Sequence, residues 1–308
     1  MTFTTESMQE ILPLLRKELQ KSQTLSFCVL NPDLAEGYAG SRVVVNGTGY
    51  LYRGYKAWTD LAEILKCKML TPQKEDETLV RLHFRKLAEA SFHQEKPLLT
   101  EEKYGMASHF FQINKMEEPA FFHYYVQALE NAGIRKRKRI LNLGINRADE
   151  FEVIRKMLNI EEYQTMELVG IDHSESAVSY AESLFKEGNV RFLTEDINRL
   201  EHLGLGRFDL LVSIGTLQSP GIHYKPFLME LVQKHLKKDS ALILGFPNSR
   251  WEGGEMLYGA KAPNYAMNEM SLLFNDVMFA KKYLQQKKYR VMITGKQYFF
   301  LTAVKIGQ

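Results

Sequence analysis

The chain has 308 residues, 45% apolar and 25% charged, a composition that supports a folded core and excludes wholesale disorder. Its 40 basic and 37 acidic residues leave a net charge of +3, without the concentrated basic surplus of a general polyanion binder. Cys28 and Cys67 are too few for a disulfide framework or a cysteine-rich zinc site, and no apolar run is long enough to span a membrane. No basic segment leads into an apolar stretch at the start, so a secretory leader is not expected and a cytoplasmic setting is.

In chain order, Ser7-Met8-Gln9-Glu10 fits a capping box, and Met8, Ile11, Leu12, Leu15 and Leu19 recur at helical spacing. Pro13 lies inside that pattern and is expected to kink or delay the helix. Val43–Val45 and Tyr50–Tyr52 flank Asn46-Gly47-Thr48-Gly49, a hairpin signal. Trp58, Leu61, Ala62 and Leu65 mark an amphipathic helix that stops near Thr71-Pro72. Val80, Leu82 and Phe84 then alternate with Arg81, His83 and Arg85, which predicts a strand with one polar face. Residues 1–95 therefore read as a small α+β accessory domain. Residues 104–132 predict helix with a break at Pro119, so 96–138 reads as a helical linker or lid.

From Arg139 the rhythm changes. Strands are predicted at 139–144, 168–172, 190–193, 208–214 and 241–246, alternating with helices at 149–158, 175–185 and around 226–236. A long helix at 270–286 precedes two strands, 289–294 and 297–304, joined by Gly295-Lys296. Alternation of this kind makes a parallel sheet covered on both faces, and the short final turn makes the last pair antiparallel. The expected fold class is α/β, a Rossmann-like seven-stranded mostly parallel sheet ending in an antiparallel hairpin, with an N-terminal α+β domain.

Ligands of such sheets bind beyond the carboxyl ends of the strands. The first tip reads Asn142-Leu143-Gly144-Ile145-Asn146-Arg147-Ala148-Asp149, the second Gly170-Ile171-Asp172-His173, the third Glu195-Asp196-Ile197 and the fourth Ser213-Ile214-Gly215-Thr216-Leu217. As an ordered set over residues 139–305, with the terminal hairpin, they resemble the class I S-adenosylmethionine-dependent methyltransferases. The resemblance implies S-adenosylmethionine as cofactor and a methyltransferase domain at 139–308. Asp172 would then accept from both ribose hydroxyls, with His173 beside it. Asp196 would accept from the adenine amine, and Ile197 would pack on the ring. Ser213, Gly215 and Thr216 would line the methionine part. That family carries an acid and then three glycines at alternate positions. Here the series is Asn142, Gly144, Asn146 and Ala148, and Asp149 is the candidate for the missing negative charge. Asn146 is the mildest replacement for a glycine, because asparagine tolerates the left-handed region. A nicotinamide dinucleotide is the competing ligand, but its pyrophosphate wants a glycine-lined turn that Gly144–Asp149 lacks.

The fourth tip lacks the Asn/Asp-Pro-Pro-aromatic pattern of amino-methylating base and glutamine enzymes, and it lacks the acid of metal-dependent relatives. No metal is expected. The acceptor site should draw on the helical segment before 139, the loop after the fourth strand and the loop after the fifth. From these, Tyr104, His109, Asn248, Arg250, Trp251, Tyr258 and Tyr265 are the candidate substrate contacts: Arg250 for an anion, the aromatics for stacking. His109 and His223 are the bases within reach, and neither earns a catalytic role from sequence. The expected acceptor is a small molecule or a modified nucleotide. Two other readings stay open. One is a non-catalytic binding protein on this scaffold. The other is an RNA methyltransferase docking RNA through the N-terminal domain, with Arg81, His83 and Arg85, or the run Arg135–Arg139, as the cationic surface. For that run the favoured reading is the solvated cationic end of a helix.

Overall fold

The computed structural model describes residues 1–88, 105–259 and 270–307. Its chain divides into two units, Met1–Ser91 with Trp251–Leu257, and Phe92–Arg250 with Tyr258–Gln308.

The first unit starts with α1 (Met8–Lys21), where Glu10 accepts from the Ser7 backbone N–H at 2.7 Å and closes the capping box. The helix runs through Pro13. One backbone bond is lost there, but Ile11, Leu15 and Leu19 are buried and hold the helix on the core. Strand β1 (Thr24–Leu30) follows, then the hairpin β2 (Arg42–Val45) and β3 (Thr48–Leu51). Asn46 and Gly47 turn it with φ of 49° and 78°, the two left-handed residues that match the twist of a tight hairpin. After α2 (Tyr55–Ile64) come β4 (Cys67–Met69), β5 (Gln73–Lys74) and β6 (Leu79–Lys86). β6 pairs antiparallel with β1, β4 and β5. As the alternation predicts, Val80, Leu82 and Phe84 point into the core. The Phe27 ring lies there 5.2 Å from Phe84, 5.3 Å from Phe3 and 5.8 Å from Trp58, all edge-on or tilted.

The second unit opens differently from the helix expected at 104–132. Tyr104 lies outside the described residues. Residues 109–112 and 115–117 form two short 3-10 turns. The Ser108 hydroxyl accepts from Phe111 N–H at 3.2 Å, and the Asn114 side chain accepts from Met116 N–H at 3.0 Å. Such local side-chain acceptors compete with helical bonding and stop each turn. Regular helix begins only at α3 (Pro119–Asn131), with proline in the first turn, where its missing N–H costs nothing.

Then β7 (Arg139–Leu143), α4 (Asp149–Met157), α5 (Ile160–Gln164), β8 (Glu167–Asp172), α6 (Glu175–Leu184), β9 (Val190–Thr194), β10 (Phe208–Ile214), α7 (Tyr224–Glu230) and β11 (Leu236–Pro247) build the parallel part of the sheet. After β11 the expected long loop is instead a hairpin, β12 (Ser249–Glu252) and β13 (Glu255–Tyr258), turned by Gly253-Gly254. Its tip segment 251–257 belongs to the first unit. There Lys66 pairs with Glu252 at 3.5 Å and Lys68 with Glu255 at 2.6 Å. Gly253 fits because a Cβ would stand 2.9 Å from the Ala88 backbone nitrogen. Finally α8 (Met270–Gln286), β14 (Tyr289–Gly295) and β15 (Tyr298–Lys305) close the chain.

The sheet order is β9-β8-β7-β10-β11-β15-β14, parallel except for β15, which runs antiparallel to both neighbours. The chain reverses its direction of winding between β7 and β10. The crevice at that switch point is where the fold offers a ligand site. All seven residues of the central strand β10 are buried, as a two-sided parallel sheet requires. Each large side chain lost from such a core costs about 2–5 kcal/mol.

Candidate functional site at the strand tips

The β7 tip keeps the shape of a three-glycine loop while holding one glycine. Gly144, Asn146 and Ala148 all have positive φ, at 75°, 45° and 60°. Gly144 is irreplaceable on two grounds. Its conformation disfavours a side chain, and a Cβ would stand 1.9 Å from Thr216 Oγ1. The first and fourth tips therefore meet in contact. Ala148 is fully buried and holds a left-handed conformation that costs a non-glycine about 1–2 kcal/mol. Ala148→Gly is expected to stabilise the protein by about 0.5–1 kcal/mol after the greater chain entropy of glycine is subtracted. A lower urea midpoint for that variant would contradict the strain.

Asp172 ties the loop to the second tip. Its Oδ2 accepts from Asn146 N–H at 2.9 Å and its Oδ1 from Ser174 N–H at 3.1 Å, with His173 Nδ1 3.4 Å away. The carboxylate is buried, yet two such bonds use about half of its acceptor capacity. It does not cap the next helix; Ser174 does, accepting from Ala177 N–H at 3.2 Å. Asp196 is exposed and accepts from Asn198 N–H at 2.9 Å, so it caps the 3-10 turn 197–203, while Ile197 is buried beside it. Ser213 Oγ donates to the Leu143 carbonyl at 3.2 Å, across β10 and β7. Gly215 turns with φ 75° and lies against Pro247 and Tyr298.

Asp149 opens α4 and pairs with Arg147 at 3.6 Å. Burial raises its carboxyl; Arg147 and Lys115 oppose that. Sequence reasoning passed over its neighbour. Glu150 is buried beneath the loop, where burial pushes its carboxyl up to about 7; Lys115 and the Asn142 amide pull the other way. The signal was available, since Glu150 shares the buried helical stripe of Phe151 and Ile154. Its folded pKa lies above the unfolded value of 4.5. The folded state therefore holds the proton more tightly, and this contribution to stability is full below pH 4.5 and lost as pH rises to about 7. Glu150→Gln is expected to flatten that fall, worth up to about 3 kcal/mol, and to be the more stable form at alkaline pH. Parallel slopes for the two proteins would refute it.

The segment before α3 is bonded to the β7 tip and to α6. Arg147 Nη1 donates to the Phe111 carbonyl at 3.1 Å, and its guanidinium lies over the rings of Phe111 and Tyr180. Met106 N–H donates to Ser176 Oγ at 2.9 Å. His109 is exposed in the first 3-10 turn, and His223 is exposed at the start of α7.

Of the candidate acceptor contacts after β11, Asn248, Arg250 and Tyr258 meet at the base of the hairpin, where Gly259 N–H donates to the Asn248 carbonyl at 2.9 Å. Asn248 is buried; its N–H donates to the Gln297 carbonyl at 2.8 Å and its amide to the Lys296 carbonyl at 3.0 Å. Arg250 Nη1 donates to the carbonyls of Tyr258 and Gly259 at 2.7 and 3.1 Å, clamping the hairpin base. Trp251 belongs to the first unit and Tyr258 is exposed. Tyr265 lies outside the described residues.

The cationic surfaces are largely spent internally. Arg81 pairs with Glu75, and His83 lies between Ser26 at 2.6 Å and Gln73 at 3.2 Å. In the basic run, Arg135 pairs with Glu162 and Arg139 with Glu167 at 2.5 Å. Buried Arg137 donates to the carbonyls of Ala132 and Asp239 at 2.8 and 2.6 Å.

A family model described as a methyltransferase domain matches residues 134–294, more than half of the chain. The chain belongs to that family. The seven-stranded sheet, parallel but for the reversed β15, is the Rossmann-like sheet of a methyltransferase domain. Among solved structures, the chain is similar to a SAM-dependent methyltransferase from Aquifex aeolicus, at 18% identity over 62% of this chain and 96% of that one, with a TM-score of 0.44. It is also similar to the N-methyltransferase NodS from Bradyrhizobium japonicum WM9 in complex with S-adenosyl-L-homocysteine, at 12% identity over 63% and 91%, with a TM-score of 0.43. Coclaurine N-methyltransferase aligns at 19% identity over 40% of the methyltransferase and 35% of its own chain, with a TM-score of 0.35. No curated protein sequence matches. Among the described residues no helix is long and apolar enough to cross a membrane.

Proposed function

We propose that this methyltransferase transfers the S-adenosylmethionine methyl group, without a metal ion, to a small molecule or modified nucleotide at the mouth between β7, β10 and β11. The observation that carries the reading is the buried Asp172 carboxylate, held at the second tip by two backbone N–H groups with acceptor capacity left over. Two neighbouring acceptor oxygens suit a vicinal diol such as ribose. The cofactor, when bound, supplies an already activated methyl on a sulfonium.

The protein's own task is then alignment. Asp172, with His173 beside it, would hold the ribose. Asp196 would accept from the adenine amine and Ile197 would cover the ring. Gly144 and Asn146 would let the backbone approach, and Ser213, Gly215 and Thr216 would line the side toward the acceptor. Asp149, beside Arg147, is the acid nearest the methionine end on the β7 side. In-line transfer needs the acceptor atom held close and in line more than it needs a base.

Calorimetry with S-adenosylhomocysteine tests the reading. Saturable one-site binding is expected. No heat at millimolar ligand would end it. Radiolabelled cofactor incubated with cell extract, followed by fractionation into RNA, protein and small molecules, then identifies the acceptor class.

A further inference from the structure

Away from the strand tips, the first unit gathers a hydroxyl, an imidazole and an amide on one face of its sheet. Strand β6 has β1 on one side and β5 on the other. Ser26 stands directly opposite His83 across β1 and β6, where the side chains of an antiparallel pair are near neighbours. Ser26 Oγ lies 2.6 Å from His83 Nδ1, and His83 Nε2 lies 3.2 Å from Gln73 Oε1. A serine–histidine bond alone is an ordinary cross-strand contact. The third group gives this one a direction. An amide oxygen only accepts, so the proton of the neutral ring sits on Nε2 and Nδ1 keeps its lone pair. The Ser26 hydroxyl then donates to Nδ1, which is the arrangement of a nucleophile, its base and the group that orients the base.

Two further observations bear on the same place. Ser26 is exposed, and it lies on the wall of a cavity of about 190 Å3 together with Leu15, Glu18, Ser22, Thr24 and Leu25. Arg85 follows His83 by two residues on the polar face of β6; it is exposed and makes no ion pair among the described residues. Arg81, on the other side of His83, is already neutralised by Glu75.

We infer that Ser26 is a nucleophilic serine with His83 as its general base, and that this face of the first unit cleaves esters of short, uncharged acyl groups. The inference goes beyond the methyltransferase reading and does not depend on it. In the first step Ser26 Oγ bonds to the carbonyl carbon and its proton passes to His83 Nδ1. The bond from that carbon to the alcohol oxygen breaks, and the alcohol leaves with the proton. In the second step a water gives a proton to Nδ1 and its oxygen bonds to the acyl carbon. The bond to Oγ breaks, and Oγ takes the proton back. The sum is ester and water to acid and alcohol. Gln73 is a positioning residue, and Arg85 supplies positive charge for the carbonyl oxygen as it becomes negative. The cavity is smaller than most ligand pockets and carries the Glu18 carboxylate, so the acyl group it suits is small and not itself an anion.

Reaction of the full chain with p-nitrophenyl acetate tests the site. Release of nitrophenolate and acetylation of Ser26, located by peptide mass spectrometry, are expected. Ser26→Ala should abolish that adduct. His83→Gln should slow Ser26 acetylation by about a hundredfold, as loss of a general base does. Gln73→Leu should slow it, while Gln73→Glu, which keeps an acceptor, should not; a bond with a structural role alone would leave both rates at the parent's. Arg85→Gln should slow it by about tenfold or more. Acetylated lysines with Ser26 left bare, or equal Ser26 acetylation in His83→Gln and the parent protein, overturns the inference.

Discussion

Gly144→Ala is expected to destabilise the second unit by about 2–5 kcal/mol and to remove cofactor binding. Two separate costs add. The left-handed φ of 75° costs a side chain about 1–2 kcal/mol. The new Cβ would stand 1.9 Å from Thr216 Oγ1, 2.6 Å from its Cγ2 and 2.7 Å from its Cβ, so one tip must move off the other. Overpacking of that kind costs about 1–3 kcal/mol. Adding Thr216→Gly relieves the collision and leaves the φ cost untouched. A double-mutant cycle read from urea midpoints should show a coupling of about 1 kcal/mol or more. Additive effects would mean that the two tips do not touch.

Asp172→Ala is the second large effect, and it acts on binding and on the loop together. It leaves the N–H groups of Asn146 and Ser174 without their acceptor, at about 1–3 kcal/mol for each that stays buried. It also removes the proposed ribose contact. Affinity for S-adenosylhomocysteine should fall by about a hundredfold or more, which corresponds to about 3 kcal/mol. Asp172→Asn separates the two roles. One acceptor oxygen stays, so most of the fold's stability should survive while ribose recognition drops. Equal affinity in Asp172→Asn and the parent protein would remove Asp172 from the proposed site.

Strands were the most legible part of the sequence. β10 falls on its expected residues 208–214, because a run buried on both faces needs no register to be recognised. The segment at 105–118 was misread as helix. Its aromatics recur at helical spacing, but Ser108 and Asn114 bond the backbone locally and break the run. The hairpin 249–258 was misread as a loop, since Gly253-Gly254, Pro247 and Asn248 are also loop residues and its ion-pair partners Lys66 and Lys68 lie far away in sequence. At the strand tips, the turn at Gly144 and the burial of Asp172 were legible because each tip reports on its own strand. The burial of Glu150 was missed because a carboxylate on the apolar stripe of α4 reads as an exposed position until the helix is packed.

The membership of 251–257 in the first unit bears on how the protein is made. A ribosome delivers the N-terminus first, and domains tend to fold as they emerge. Here the N-terminal unit is missing a piece, the hairpin tip carrying Glu252 and Glu255, until more than four-fifths of the chain has been synthesised. Its last ion pairs close only then, when β7 to β11 have already left the exit tunnel. For the same reason, starting translation downstream of the accessory domain would yield a catalytic unit with an orphaned β-ribbon. A clean dissection of the two units requires an internal deletion across 251–257 as well.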